Sequence, residues 1–223
     1  MARLVFNAGD VFTIGGSNTV TEVFGSSGKD TITIAAGSKA TLFGFDSTDA
    51  VSLGGNALLR WLGTRAEDAS FIDAAAAVSA PLDLAAGGAA LSSGFNMVYT
   101  HSFLRTLKPK CLAKLEQHPG LFDRDRMLAA RDLYEFDNVV TAPLHGFRDT
   151  NDYWHRASAK HVLQDIRVPT LVLNARNDPF LPSRHLPQNA SDAVRLEYPA
   201  EGGHVGFASG RLPGSLAWLP RRI

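Results

Sequence analysis

The sequence predicts an α/β fold in which an incomplete parallel sheet with a helical insertion follows a small, Gly-rich β-repeat module. Three observations support this prediction. Residues 1–50 are rich in Gly, Ser, Thr, Asp and Asn and contain no Pro, His or Trp. Residues 51–223 carry apolar, β-branched segments typical of buried strands. A mostly helical stretch, about 83–165, lies between these predicted strands, as in a doubly wound sheet with an insertion. We therefore expect two domains, 1–50 and 51–223.

The first domain repeats a short step of alternating apolar and polar residues. The pattern Asp-x-apolar-x occurs at Asp10–Thr13, Asp30–Thr33 and Asp49–Ser52. Such alternation is typical of a short strand with one buried face. Glycines between the steps favour turns, so the segment predicts a solenoid or β-roll whose stacked strands bury a common apolar ladder. That ladder would consist of Phe12, Val20, Ile32, Leu42 and Val51.

Residues 1–50 also resemble the repeats of bacterial secreted calcium-binding and adhesin-like proteins. The nearest match to their nonapeptide G-G-x-G-x-D-x-U-x is Gly25–Thr33, in which Ser26 replaces the second glycine. Calcium requires six or more oxygen ligands, and one imperfect copy does not supply them. A metal-free β-stack is therefore the favoured interpretation and a calcium-linked stack the alternative. For the whole chain we expect no metal and no cofactor.

Composition argues against several classes of function. Lys and Arg together number 22, as do Asp and Glu, so no overall charge excess directs the chain to nucleic acid or to an anionic membrane. The single cysteine, Cys111, excludes an internal disulfide. No apolar run reaches the roughly 18 residues that a membrane span needs, and no signal peptide is recognisable at the N-terminus. We expect a cytoplasmic protein, although the resemblance of residues 1–50 to secreted proteins points the other way.

The second domain begins with a predicted helix. Apolar spacing over 56–62 indicates this helix, with Gly63 as its C-cap. The small-residue run 71–79 is interpreted as a buried parallel strand, with a helix as the alternative. Two further strands are predicted at 168–174 and 194–198, the second shorter than the first.

Three residues then suggest nucleophilic catalysis. Ala50–Gly54 places Ser52 with the spacing of the nucleophile elbow G-x-S-x-G, Ala50 standing at the first glycine. Asp178 and His204 each follow a predicted strand, and reactive groups of open parallel sheets gather beyond the carboxyl ends of strands. A serine hydroxyl needs a base to take its proton, and a histidine base needs a carboxylate to fix its tautomer. The chain order Ser, Asp, His is that of the α/β-hydrolases.

From Ser52 onward the sequence resembles the YheT-like family of α/β-hydrolases, which are regarded as esterases. The matching segments are Ser52–Leu59, Val78–Leu84, Phe136-Asp137, His145–Phe147, Asp152-Tyr153, Asn177–Phe180 and Gly202–Phe207. The resemblance implies an α/β-hydrolase-like sheet with a helical lid and hydrolysis of an ester or related acyl bond in a small molecule, without a cofactor. It implies Ser52 as nucleophile, Asp178 as acid and His204 as base. The backbone N–H of Leu53 would be an oxyanion donor.

The sequence departs from this family before Ser52. The family carries several strands and their helices ahead of the nucleophile, together with a loop that supplies a second oxyanion donor. Here the β-repeat stands in their place, and loss of one donor typically lowers the rate by about 10²–10³. The sequence also stops at Ile223, before the last helix of such a fold. It is therefore interpreted as a chimeric or truncated hydrolase.

Each proposed catalytic residue has a structural alternative. Ser52 could belong to the last strand of the repeat and point away from Val51 and Leu53. Asp178 precedes a proline and could initiate a turn, and His204, between glycines, could be an exposed loop residue. Three hypotheses follow: a serine hydrolase, a non-enzymatic calcium-linked or adhesive β-repeat module fused to an inert hydrolase remnant, and a hybrid without a stable function.

Overall fold

The structure is a computed structural model, and its chain divides into two compact units. Unit 1 comprises Met1–Leu82, Ala159–Asn177 and Pro187–Ile223, and unit 2 comprises Asp83–Ser158 and Asp178–Leu186. The described residues are 2–5, 11–14, 20–24, 31–34, 39–43, 50–53, 55–204, 206–210 and 215–222. Side chains are described from Gly55 onward, apart from those of residues 205, 211–214, 220 and 223. The predicted nonapeptide turn over 25–30 lies outside the described residues.

Among the described residues, six short strands form the first part of unit 1, and successive strands alternate between two parallel sheets. They are β1 (Ala2–Val5), β2 (Val11–Ile14), β3 (Val20–Phe24), β4 (Thr31–Ile34), β5 (Lys39–Phe43) and β6 (Ala50–Leu53). The sheet orders are β1-β3-β5 and β2-β4-β6. Each strand therefore pairs with the strand two places along the chain, which gives a parallel sheet only when the chain crosses over between them.

The single apolar ladder expected for this region divides between the two sheets. Phe12 pairs with Ile32, and Ile32 pairs with Val51, so these three positions share one register in β2-β4-β6. Val20 instead pairs with Lys39 and Leu42 with Val23, both in the other sheet. The prediction of one common ladder was wrong because alternating strands belong to different sheets.

A third parallel sheet contains the strands predicted in the second domain. It consists of β7 (Ala75–Val78), β8 (Thr170–Leu173) and β9 (Val194–Glu197), in the order β7-β8-β9. The α/β fold class is therefore confirmed, and the helical alternative for 71–79 is wrong. Val172 and Leu173 are fully buried, as continuous apolar strands of parallel sheets usually are.

Helix α1 (Gly55–Arg65) packs against β7 and against the 3₁₀ turn Leu163–Asp165. Gly63 is not its C-cap, since the helix continues to Arg65. A Cβ added at Gly63 would lie 2.6 Å from Cβ of Val162. The glycine is therefore required because another segment approaches the helix closely, and an isolated sequence does not distinguish this role from a cap.

Unit 2 is mainly helical. Its helices are α2 (Leu84–Leu91), α3 (Met97–Gln117), α4 (Arg124–Ala129), α5 (Leu133–Phe136), α6 (Ala142–Leu144) and α7 (Thr150–Ala157), with a π-helical turn at Asp137–Thr141. A further helix, α8 (Trp218–Arg222), belongs to unit 1. Further 3₁₀ turns lie at Ala66–Ala69, Gly94–Asn96, Ala159–His161 and Ser183–His185.

Four helices of unit 2 are preceded by an aspartate N-cap. Asp83, Asp123, Asp132 and Asp149 precede α2, α4, α5 and α7, and each accepts a hydrogen bond from the backbone N–H three residues later. Aspartate is a preferred N-cap because its carboxylate satisfies a backbone donor that the helix leaves unpaired. A cap contributes about 1 kcal/mol, so these residues help to define where each helix starts.

We expect Gly88→Leu to lower the free energy of unfolding by about 3 kcal/mol. The reason is that a Cβ at Gly88 would lie 2.6 Å from Cζ3 of Trp154, a buried ring that cannot move aside without repacking α2 and α7. Urea denaturation measures the change. Ala89→Leu places the same side chain at the next, exposed position of α2 and is the matched control. Equal stability of the two variants would contradict the close packing.

Candidate active site

Ser52 is the third residue of β6, where its backbone pairs with Thr33 of β4. Strand β6 ends at Leu53 and α1 begins at Gly55, so one residue separates strand from helix. Strand β6 also approaches β7, the edge strand of the third sheet. Ser52 therefore lies within β6, one residue before the strand ends, whereas the elbow pattern places the nucleophile on the turn itself. Its side chain lies outside the described residues.

Asp178 lies in unit 2, in the loop that follows β8, and only 4% of its surface is exposed. Its Oδ1 accepts a hydrogen bond of 2.8 Å from the backbone N–H of Phe180. The next residue, Pro179, has its carbonyl bound by Asn96 Nδ2 at 2.9 Å. The turn expected from an Asp before a proline is thus present, and the carboxylate that forms it is buried.

His204 lies in unit 1, in a closed loop that follows β9. The N–H of Phe207 donates to the carbonyl of Gly202 at 2.8 Å, which closes the loop. Phe207 is buried beside Leu173 and Ala175, and its ring stacks on Trp218 with centroids 5.5 Å apart. The loop is therefore anchored to the carboxyl end of β8.

A side chain from the end of β8 also binds this loop directly. Oδ1 of Asn177 accepts a hydrogen bond of 2.8 Å from the N–H of Gly203, and its Nδ2 donates to Oε2 of Glu201 at 2.6 Å. Gly203 has φ 61°, a left-handed conformation that favours glycine. Asn177 thus fixes the backbone next to His204 and directly precedes Asp178 in the chain.

Sequence reasoning missed two buried polar residues at the carboxyl ends of β7 and β8. Ser79 and Asn174 follow these strands directly, and Asn174 Nδ2 donates to the carbonyl of Ala80 at 2.9 Å. Ser79 Oγ and Asn174 Oδ1 have no hydrogen-bond partner among the described residues. Ser79 also has φ 51°, and strained backbone of this kind clusters at functional sites. The sequence signal that could have identified them is a polar residue, serine or asparagine, directly after an apolar run.

Asp137 is a partly buried carboxylate of unit 2 that the predicted site does not use. Trp154 Nε1 donates to its Oδ2 at 2.8 Å, and the Thr141 hydroxyl also binds it. Burial raises the pKa of Asp137, and these two hydrogen bonds offset only part of that rise. Partial burial of its own phenol, with the nearby charge of Asp137, raises the pKa of Tyr153 to about 12.

We expect the free energy of unfolding of the Asp137→Asn variant to increase, relative to that of the original protein, as pH rises. A raised carboxyl pKa means that the folded state holds its proton more tightly than the unfolded state, so stability is lost as pH rises from the ordinary Asp value through the raised one. Asparagine keeps an acceptor for Trp154 and carries no charge. Urea denaturation between pH 4 and about 7 measures the difference. Asp125→Asn, at an exposed position, is the control, and a difference independent of pH would contradict the burial effect.

The C-terminal region of the chain is similar in sequence to several known proteins. No protein-family model matches the chain, and no solved structure matches it. The Escherichia coli (strain K12) protein named "Putative esterase YheT" is 38% identical over 187 residues, which are 81% of this chain and 55% of that protein. Phospholipase ABHD3 of Mus musculus is 33% identical over 181 residues, 77% of this chain and 42% of its own. A monoacylglycerol lipase of Saccharomyces cerevisiae (strain ATCC 204508 / S288c) is 29% identical over 172 residues, 72% of this chain and 37% of its own.

The C-terminal region matches α/β-hydrolases of the esterase and lipase kind. The chain spans about half the length of the first of these relatives and less of the others. The expected resemblance to YheT-like hydrolases is therefore supported, whereas the resemblance of residues 1–50 to calcium-binding and adhesin-like repeats is not.

Among the described residues, no group of three or more His, Cys, Asp or Glu side chains could hold a metal ion. No helix within the described ranges is both long enough and apolar enough to cross a membrane.

Proposed function

We propose that the protein is a serine hydrolase that cleaves a carboxylic ester through Ser52, His204 and Asp178. The main support for the proposal is the 38% sequence identity, over most of the chain, with a relative that is named as an esterase. Two of the positions support it, since Asp178 and His204 follow β8 and β9 of the third sheet, and catalytic groups of open parallel sheets gather beyond the carboxyl ends of the strands. Ser52 lies in β6 of another parallel sheet, one residue before that strand ends.

The proposed reaction proceeds through an acyl-enzyme. His204 takes the proton of Ser52 Oγ, which attacks the ester carbonyl carbon and forms a tetrahedral oxyanion. The N–H of Leu53 donates a hydrogen bond to that oxyanion. The intermediate collapses, the C–O bond to the alcohol breaks, and His204 returns the proton to the departing alcohol. Water, activated by His204, then hydrolyses the acyl-serine by the same steps and releases the acid.

The environment of His204 suits the role of a base. Its loop is fixed by the Gly203–Asn177 hydrogen bond and by the burial of Phe207, so the imidazole starts from a rigid backbone. Phe207 itself has φ 43°, a strained conformation for a non-glycine residue. Strain of this kind persists only where the surrounding structure enforces it, and it is frequent at active sites.

The turn formed by Asp178 is compatible with a catalytic role. The carboxylate is held by the hydrogen bond from the N–H of Phe180. We infer that this bond orients the carboxylate for its role as acid partner of the imidazole. Burial would strengthen that interaction because the local dielectric constant is low.

We propose a lipid-like ester as the substrate class. Two of the relatives are named as a phospholipase and a monoacylglycerol lipase. The test is hydrolysis of p-nitrophenyl butyrate and octanoate, compared with the Ser52→Ala variant. We expect both esters to be cleaved above that background. A rate equal to the background for every chain length would reject the hydrolase.

We further propose that residues 1–50 form a separate β-repeat domain joined to a hydrolase-like domain. The alternate pairing of β1–β6 and the absence of Pro, His and Trp in this segment support the division. Hydrogen exchange on the full chain tests it, because separate domains open as separate units. Exchange of β1–β6 together with β7–β9 as one cooperative unit would contradict the division.

A further inference from the structure

The outer side of α3 carries large apolar side chains that face solvent. Phe95 is 80% exposed and Val98 57% exposed, and Tyr99 and Phe103 are also exposed. Their spacing of three and four residues places them on one face of the helix and of the turn before it. We call these four residues the aromatic patch. Singly exposed apolar residues are ordinary, whereas a continuous patch marks an interaction site.

The aromatic patch is fixed in position by contacts with other residues of unit 2. Phe180 packs edge-to-face against Tyr99 and Phe103, with centroids 4.8 and 6.1 Å apart. Asn96, directly after Phe95, donates from Nδ2 to the carbonyls of Ala90 and Pro179. On the opposite side of α3, Thr100 and Leu104 are buried. The helix thus has one face in the core of unit 2 and one directed outward.

Basic residues follow the aromatic patch along α3. The helix contains Arg105, Lys108, Lys110 and Lys114 but a single acidic residue, Glu116, in a chain whose total charge is zero. Lys108 turns inward, where its Nζ donates to the carbonyls of Leu128 and Ala130. The exposed cations Arg105 and Lys110 form no ion pair within the part of the chain that the structure describes.

We propose that α3 adsorbs to the surface of an anionic phospholipid bilayer. The aromatic patch would enter the boundary between headgroups and acyl chains, while Arg105 and Lys110 remain among the anionic headgroups. A helix with apolar aromatic residues and a basic excess on its outer side is suited to lie in the membrane interface without spanning it. Anionic lipid attracts basic residues near its surface.

A second copy of the chain fits the same face less well. Pairing two α3 helices through the aromatic patch would bring their basic residues into proximity, and like charges oppose association. A bilayer with anionic lipid supplies apolar depth and opposite charge together. The charge distribution therefore favours the membrane surface over self-association.

Sedimentation of the full chain with vesicles tests the proposal. We expect binding to vesicles of phosphatidylcholine mixed with phosphatidylserine, little binding to phosphatidylcholine alone, and weakening as salt is added. The readout needs no ester turnover, so the proposal and the proposed hydrolase function can fail separately. Absence of binding to the anionic vesicles would overturn the proposal.

Two paired variants locate the contact. The double variant Phe95→Ser with Val98→Ser should weaken vesicle binding by about tenfold or more, because two apolar side chains that enter the membrane interface are lost. Arg105→Gln with Lys110→Gln should weaken it roughly 25-fold, about fivefold for each cation removed. The matched controls are Leu216→Ser, at an exposed apolar residue, and Arg65→Gln with Arg184→Gln, at exposed cations elsewhere.

Circular dichroism of each variant separates a folding defect from a binding defect. Retained helicity with lost vesicle binding supports the proposal. Equal weakening by the controls and the α3 variants would overturn it, because binding would then depend on overall charge or apolarity. A dimer in solution that Phe95→Ser converts to a monomer would assign the patch to self-association and would also overturn the proposal.

Discussion

Replacing Ser52 with alanine is expected to lower kcat/KM for p-nitrophenyl butyrate by roughly 10⁴-fold or more, to the level of non-enzymatic hydrolysis. The expectation follows from the proposed acyl-enzyme, which cannot form without the hydroxyl. Steady-state kinetics of the full chain measure it. Alanine fits a strand, so the pairing of Ser52 with Thr33 should persist.

The control for this variant is Ser70→Ala, which removes a hydroxyl from an exposed turn. We expect the control to keep the original activity. Retention of more than about a tenth of the activity by Ser52→Ala would show that another group carries the reaction. In that case the strand position of Ser52 would be its only role.

Asp178→Asn is expected to lower kcat by roughly 10⁴-fold with a much smaller effect on KM. The amide no longer stabilises the imidazolium and favours the wrong tautomer of the base. It does retain an oxygen in the position that accepts the hydrogen bond from Phe180, so the turn should survive. Loss of kcat without loss of stability would separate catalysis from turn formation.

Asp83→Asn is the matched control for this substitution. Asp83 is 6% exposed, similar to Asp178 at 4%, and it accepts a backbone hydrogen bond from Ala86 as Asp178 does from Phe180. The control should leave kcat near its original value. Equal losses of kcat in the two variants would indicate that Asp178 has only a structural role.

The parts of the fold that depend on local pattern could be predicted from the sequence. The apolar runs around Ala77 and Val172 indicated parallel strands because buried strands need little polar alternation. Aspartates before α2 and α4 are N-cap residues whose preference is intrinsic to the residue type. Ser52, Asp178 and His204 were selected by spacing and chain order; in the structure Asp178 and His204 follow β8 and β9, whereas Ser52 lies within β6.

Features that depend on distant contacts could not be predicted. Gly63 serves the approach of Val162, about a hundred residues later in the chain, rather than a helix end. Asn174 is placed by its bond to the Ala80 carbonyl, which belongs to another strand connection. The division of the apolar ladder depends on which strands pair, and register across sheets is a tertiary property.

Covalent labelling with a fluorophosphonate, followed by peptide mapping, tests the central claim most directly. A fluorophosphonate phosphonylates a serine only when a neighbouring base activates its hydroxyl. We expect one adduct per chain, on the peptide that contains Ser52, and loss of this adduct in the His204→Ala variant. An adduct on Ser79, the strained buried serine that follows β7, or no adduct on the folded chain would contradict it.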